Sequence, residues 1–129
     1  MQQPIVISGA GILGCYISCA LSLQGIDSIV LEKKDDEVED SVRTITLNPF
    51  SKNLLDKIGI ENDYSMINKM EVKDFDGTGK IVFKSSEIGM DHLAYVADFA
   101  TLLTAVRKKA SEKILYKEEI IDIDNKGDL

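Results

Sequence analysis

The first thirty residues combine short apolar runs with one long apolar stretch. Pro4 to Ser8 is an apolar run without alternation, which is typical of a parallel-sheet strand buried on both faces. Apolar residues then surround every side of the run from Ile12 to Leu23, so we expect a helix enclosed by protein. Gly25 ends this helix, and Ser28 to Glu32 has the character of a second strand. The pattern therefore predicts a right-handed βαβ unit.

The middle of the chain predicts elements of another kind. Apolar spacing from Pro49 to Ile58 predicts a short helix, and Gly59 stands where a C-terminal glycine is expected. Two alternating runs, Met70 to Phe75 and Lys80 to Lys84, flank the glycine-containing connection Asp76 to Gly79. This arrangement predicts a β-hairpin, so the chain changes here from strand–helix to strand–strand organisation.

The last third of the chain predicts a helix followed by two strands. Asp98 can cap a helix that runs to about Lys113, and the apolar runs Ile114 to Tyr116 and Ile120 to Ile123 have strand character. The acidic segment Asp35 to Asp40 predicts a solvated connection.

Composition and charge narrow the class of protein. The 129 residues are 44% hydrophobic and 29% charged, which is typical of a globular protein, and the length predicts one domain or a piece of one. A net charge of −7 repels phosphate backbones, so we expect no nucleic-acid partner. The stretch from Ala10 to Leu23 is interrupted by polar residues and shorter than a bilayer span, so no transmembrane segment is predicted. No signal-peptide pattern precedes it, and we predict a cytoplasmic location.

Cysteine and histidine suggest no reactive or metal site. Cys15 and Cys19 lie four residues apart in the predicted helix, which places them poorly for a disulfide and favours a role as small core residues. The single His92 completes no zinc set with them. Nothing in the sequence supplies an orienting acid for His92, and Tyr95 is flanked by apolar residues and predicted to pack. We therefore predict no metal and name no catalytic residue.

The first strand and the first helix are joined by a glycine-rich loop. The loop, Gly9 to Gly14, fits G-x-G-x-x-G: its glycines permit a tight turn, close approach of a pyrophosphate and close helix packing. Glu32 ends the next strand, where an acid binds a ribose and repels a 2′-phosphate. The pattern predicts a dinucleotide site for FAD or NAD rather than NADP. A glycine turn that serves packing alone is the alternative.

A family resemblance begins downstream of the glycine loop. Arg43 and Leu47 are spaced as R-x-x-x-L, and Ser51 to Gly59 reads S-x-x-L-L-x-x-x-G. The segments with Glu87 and Gly89 and with Leu93 to Val96 continue the likeness. Together these stretches resemble the flavin-dependent aromatic hydroxylases, within them the ubiquinone-biosynthesis hydroxylases of the 2-octaprenyl-6-methoxyphenol hydroxylase type.

The resemblance implies a cofactor, a substrate and a set of contacts. It implies FAD, with NAD(P)H as electron donor, and an aromatic or quinone-precursor substrate that is hydroxylated. Residues 66–96 would belong to the substrate-binding sheet. The loop glycines would face the FAD pyrophosphate, Glu32 the adenosine ribose and Arg43 the flavin side of the cofactor. The predicted cofactor-binding set is Gly9, Ala10, Gly11, Ile12, Leu13, Gly14, Glu32, Lys33 and Arg43.

The sequence also departs from the family pattern. Residues 97–100 read Ala-Asp-Phe-Ala where the family often places polar or basic residues, which implies one lost cofactor contact. Family members also continue well beyond residue 129, so the resemblance implies an N-terminal portion: an α/β, Rossmann-like FAD-binding βαβ fold with an inserted β-hairpin, incomplete relative to the full family fold. The later strands would be missing.

Three interpretations follow from these expectations. The leading one is the N-terminal portion of an FAD-dependent monooxygenase, too short for a complete active site. An uncovered strand edge and sheet face would call for a homo-oligomer or a partner chain, with peripheral membrane association through partners or a lipid-soluble substrate as an option. The alternatives are a non-catalytic nucleotide-binding or self-associating module and a fragment of an NAD-dependent dehydrogenase.

Overall fold

The computed structural model describes residues 3–124 and divides the chain into two compact units. The first unit comprises Met1–Glu39 with Leu103–Leu129, and the second comprises Asp40–Leu102, so the boundary falls within the last helix. Two 3-10 turns, Ser85–Ile88 and Ser111–Lys113, supplement the regular elements. The helices and strands are β1 (Ile5–Ser8), α1 (Ile12–Leu23), β2 (Ser28–Glu32), β3 (Thr44–Leu47), α2 (Pro49–Lys57), β4 (Ser65–Ile67), β5 (Lys69–Lys73), β6 (Lys80–Lys84), β7 (Ala94–Asp98), α3 (Phe99–Lys109) and β8 (Ile114–Tyr116).

The first unit contains a parallel sheet in the order β1-β2-β8. Ile5 lies opposite Ser28, and Val30 lies opposite Ile114. Val30 is fully buried at the centre of this sheet. The predicted βαβ arrangement of parallel strands around one helix is therefore confirmed, and β8 confirms the strand predicted over Ile114 to Tyr116.

The predicted burial of the first strand on both faces is wrong. Ile5 is 45% exposed and Val6 is 52% exposed. Within residues 3–124, β1 pairs only with β2 and so forms one edge of its sheet. Its continuous apolar pattern is typical of a central strand, but among the described residues no second strand pairs with its other edge.

Helix α1 has one buried face and one exposed face, so the prediction of a fully enclosed helix is also wrong. Small side chains bury the inner face, namely Cys15, Ser18 and Cys19, whereas Leu13 on the outer face is 69% exposed. The Ser18 and Ser28 hydroxyls form a buried hydrogen bond of 2.8 Å. Both cysteines are free and buried, as predicted for core residues.

The strand predicted over Ile120 to Ile123 does not form. This segment has no regular structure, and Ile121 and Ile123 are 92% and 78% exposed. A short apolar run becomes a strand only where another strand satisfies its backbone groups, and none does so among the described residues.

The second unit is antiparallel. Its three-stranded sheet has the order β3-β7-β4, and a separate hairpin pairs β5 with β6, so that Met70 lies opposite Phe83. The hairpin was predicted, whereas the three short strands of the sheet were not. Asn48, also not predicted, caps α2 by accepting the Ser51 N–H at 2.8 Å. Gly59 follows α2 with φ +78°, as the glycine pattern predicted.

Candidate dinucleotide-binding site

The glycine loop leaves β1 through a turn that favours glycine and excludes a side chain at its end. Gly9 has φ +97°, and its N–H donates to the Leu31 carbonyl at 2.7 Å. A Cβ at Gly14 would lie 2.1 Å from the Gly9 carbonyl oxygen. Because α1 packs directly against the turn here, only glycine fits at position 14.

Gly11 serves another purpose, because the space beside it is open. It is the N-cap residue of α1, with φ −77° and no side-chain cap, and a Cβ there would meet nothing within 4 Å. The first turn of α1 contains no acidic residue. The first amide groups of a helix lack intrahelical partners and attract anions. The loop therefore fits a pyrophosphate that approaches the backbone closely.

Glu32 ends β2 beside this loop. Its Oε2 accepts the Ala10 N–H at 2.9 Å, and its Oε1 accepts the Lys34 N–H at 3.0 Å. Burial would raise the pKa of Glu32, but these two N–H donors and the positive charges of Arg107 and Lys34 lower it overall. A carboxylate has about four acceptor positions, so each oxygen can still accept a ribose hydroxyl.

Arg107 on α3 is the residue of this site that the sequence analysis missed. Its Nε donates to the Ala10 carbonyl at 2.8 Å, and its Nη2 lies 3.7 Å from Glu32 Oε2. The available signal was helical spacing, because Arg107 interrupts the buried stripe formed by Leu103, Val106 and Ala110. A charged residue within an apolar stripe needs a partner, and here the partners are the loop and Glu32.

The other predicted contact residues take different places. In the first unit Ala10 is fully buried, Ile12 is half-buried, and Leu13 and Lys33 are exposed. Arg43 belongs to the second unit, where its guanidinium lies 4.1 Å from the centre of the Phe99 ring. The structure thus brings the glycine loop and Glu32 together within one unit. Arg43 instead packs on Phe99, which belongs to the segment 97–100 that differs from the family pattern.

In the segment 97–100, which differs from the family pattern, Asp98 has a structural role. The Thr101 N–H and hydroxyl both donate to Asp98 Oδ1 at 2.7 Å, which confirms Asp98 as the N-cap of α3. A basic side chain in its place has no acceptor oxygen and would lose this cap.

His92 and Tyr95 form a packed aromatic group in the second unit. His92 Nδ1 lies 2.5 Å from Asn68 Oδ1, and the His92 and Tyr95 rings meet edge to face with centroids 5.4 Å apart. Tyr95 packs in the same way against Tyr64 at 5.9 Å. An amide rather than a carboxylate holds His92, and Tyr95 packs as predicted.

A family comparison decides what this site belongs to. The model of the FAD binding domain matches residues 2–118, which is nearly the whole chain. The chain belongs to the FAD binding domain family. This match confirms the predicted Rossmann-like α/β fold and identifies FAD as the cofactor of the fold.

A curated relative agrees with this family assignment but is much longer than this chain. The chain is 26% identical over 137 residues to the "Ubiquinone biosynthesis monooxygenase COQ6, mitochondrial" of Danio rerio. That alignment covers 91% of this chain and 28% of the relative. The chain therefore spans less than a third of the length of the curated relative that it matches.

Solved structures show the same fold at low sequence identity. p-Nitrophenol 4-monooxygenase PnpA from Pseudomonas putida DLL-E4 matches with a TM-score of 0.75 and 16% identity, over 95% of this chain and 34% of that one. HpxO from Klebsiella pneumoniae, complexed with FAD and uric acid, matches with a TM-score of 0.66 and 20% identity, over 93% and 33%. In residues 3–124, no helix is long and apolar enough to cross a membrane.

Proposed function

We propose that the glycine loop and Glu32 bind the ADP half of FAD. The observation that carries this proposal is the open, uncapped N-terminus of α1 beside Gly11, with the Glu32 carboxylate fixed next to it. The pyrophosphate would accept hydrogen bonds from the first amide groups of α1, and the adenosine ribose would donate to Glu32.

The charge of Glu32 supports FAD over NADP. The pKa of its carboxyl is lowered, so the group is ionised at neutral pH. An ionised carboxylate repels a 2′-phosphate, which NADP carries and FAD lacks. The choice of FAD over NAD rests on the family match rather than on the loop.

The remaining predicted contacts complete the proposal. Arg43 would satisfy oxygens on the flavin side of the cofactor, because a guanidinium binds such oxygens with two parallel hydrogen bonds. Ile12, Leu13 and Lys33 would border the cofactor through their positions beside the loop and after β2. When bound, FAD supplies the redox chemistry, and this chain's residues bind and orient it.

For the whole protein we propose the hydroxylation of an aromatic ubiquinone precursor, with NAD(P)H as electron donor. The similarity to the Danio rerio relative and the Arg43 to Gly59 motif support this reaction. Residues 66–96 would contribute to the substrate-binding sheet.

A ligand-binding experiment tests the cofactor assignment. The purified chain is titrated with FAD, NAD and NADP, and both flavin fluorescence and thermal unfolding are recorded. FAD should raise the unfolding temperature most, because a ligand that binds only the folded state stabilises it. NADP should bind most weakly. Tighter binding of NAD than of FAD would favour a dehydrogenase, and no binding of any of the three would contradict the proposal.

One observation favours a second candidate, a self-associating module. The exposed edge strand β1 presents Ile5 and Val6 to solvent, and such an edge can pair with another chain. Sedimentation at increasing protein concentration separates the two possibilities: formation of dimers supports association, and a monomer at all concentrations contradicts it.

A further inference from the structure

Arg107 contacts the carboxyl end of every strand in the parallel sheet. Its Nε donates to the carbonyl of Ala10, which follows β1, and its Nη2 lies 3.7 Å from Glu32, the last residue of β2. Its guanidinium also lies 5.7 Å from the ring centre of Tyr116, the last residue of β8. In open α/β sheets, ligands bind beyond the carboxyl ends of the strands. One side chain of α3 thus reaches all three strands at the edge where the cofactor is expected.

The backbone of Ala10 is held at both its N–H and its carbonyl by this arrangement. Its N–H donates to Glu32 Oε2 at 2.9 Å, and its carbonyl accepts from Arg107 Nε at 2.8 Å. The side chains of Arg107 and Glu32 are only 13% and 12% exposed, so water competes little for these hydrogen bonds. Arg107, Glu32 and the loop therefore form one connected polar group.

The positive charge of Arg107 provides a second role at this site. A pyrophosphate at the glycine loop would bring negative charge close to the Glu32 carboxylate, and like charges destabilise each other when screening by water is weak. The guanidinium offsets this repulsion. It is always charged, and its planar set of five donors can hold the Ala10 carbonyl while it faces the carboxylate.

We infer that Arg107 is a positioning residue of the dinucleotide site, which fixes the Glu32 carboxylate and the backbone of Ala10 for recognition of the adenosine ribose. This inference rests on the proposed function. It assigns to α3 an indirect part in ribose selectivity, because Arg107 acts through Glu32 and not through contact with the ligand.

Selectivity for ribose hydroxyl groups tests the inference. ADP and 2′,3′-dideoxy-ADP are titrated by calorimetry into the wild type, Arg107→Met and Arg107→Lys. The wild type should bind ADP more tightly than the dideoxy compound, by roughly tenfold for hydrogen bonds to a charged group. Arg107→Met should lose most of this ratio. Arg107→Lys should retain part of it, because lysine keeps the charge but not the planar set of donors.

A matched control separates positioning from net charge. Lys108→Met removes one positive charge from the neighbouring, exposed position of α3 and should leave the ratio unchanged. A general loss of stability would weaken both ligands alike and would not alter their ratio. Thermal unfolding of each variant confirms that the folded protein is being measured.

Each outcome supports or overturns the inference. If the wild type prefers ADP and Arg107→Met keeps the same preference, the role of Arg107 is overturned while the proposed function stands. If the wild type binds neither ADP nor FAD, the proposed function fails and the inference fails with it. Should Arg107→Met not fold, Arg107→Lys decides: a reduced ratio supports the inference, and a wild-type ratio overturns it.

Discussion

The glycine-loop region and the β5–β6 hairpin hold their charged groups in opposite ways. Near the loop, Glu32 is 12% exposed and accepts hydrogen bonds from two backbone N–H groups. In the hairpin, Glu71 lies within 3.0 to 3.9 Å of the ammonium groups of three lysines, and every residue of β5 is exposed. Hydrogen bonds donated by a rigid backbone hold a carboxylate in one place. Exposed ion pairs between flexible side chains, in contrast, are screened by water.

The apolar residues are also more buried in the first unit than in the hairpin. The parallel sheet buries Val30 fully, whereas Met70 and Phe83, which pair across the hairpin, are 39% and 47% exposed. A two-stranded hairpin with little burial is marginally stable in water. The comparison indicates that Glu32 and the glycine loop are held in place within the first unit, and we expect the hairpin to contribute little to the stability of the chain.

The largest effect is expected at Gly14. A Cβ there would lie 2.1 Å from the Gly9 carbonyl oxygen, so either the turn or α1 must move. Gly14→Ala should lower the free energy of unfolding by about 3 kcal/mol, as overpacking does at well-packed sites. Denaturant unfolding measures this. A change below about 0.5 kcal/mol would show that the loop is not closely packed.

The next largest loss of stability is expected from removing a buried hydroxyl group in the first unit. Ser18 and Ser28 pair at 2.8 Å, so Ser18→Ala leaves the Ser28 hydroxyl buried without a partner and should cost about 2 kcal/mol. The double variant Ser18→Ala with Ser28→Ala should recover part of this loss.

Tyr64 in the second unit provides the contrast. Its hydroxyl is buried without a hydrogen-bond partner among the described residues. Tyr64→Phe removes that hydroxyl and should leave stability unchanged or raise it by about 1 kcal/mol. A loss of stability as large as that of Ser18→Ala would contradict the comparison.

A smaller effect depends on pH. Burial raises the pKa of the Cys15 thiol from 9.0 to about 11, although the charge of Arg107 opposes it. Between these values the unfolded chain has released the proton and the folded chain has not, so stability should fall as the pH rises. The loss should reach about 1 kcal/mol at pH 10 relative to neutral pH. Cys15→Ala, measured in parallel, should lose less stability over the same range. Equal slopes would contradict this assignment.

The smallest effect is expected in the hairpin. Hydrogen bonds from Lys80 and Lys73 lower the pKa of Glu71, but the carboxylate is open to solvent. Glu71→Gln should therefore leave the unfolding transition unchanged within error at moderate salt. A clear loss of stability would show that these ion pairs support the fold.

How far the sequence predicts this fold depends on the range of the interactions. The glycine loop, the hairpin and the capping role of Asp98 follow from local patterns of a few residues, and all three are confirmed. The burial of β1 and the strand at Ile120 to Ile123 depend on neighbouring strands that a pattern cannot reveal, and both predictions are wrong.

The residues of the candidate site also divide into those that a local sequence pattern predicts and one that only the fold reveals. The sequence pattern predicts Gly9, Gly11, Gly14 and Glu32, because their spacing reflects one local βαβ unit. Arg107 lies 97 residues from the loop carbonyl that it binds, and only the fold brings the two together.

The central claim is that the space beside Gly11 receives the pyrophosphate of FAD. Gly11→Ala tests it most directly, because φ is −77° and a Cβ would meet nothing within 4 Å, so the variant should fold with a stability within about 1 kcal/mol of the wild type. In a flavin-fluorescence titration, the variant should bind FAD about tenfold or more weakly, because the added methyl group occupies the path of the ligand. Equal FAD affinity in a folded Gly11→Ala variant would contradict the account.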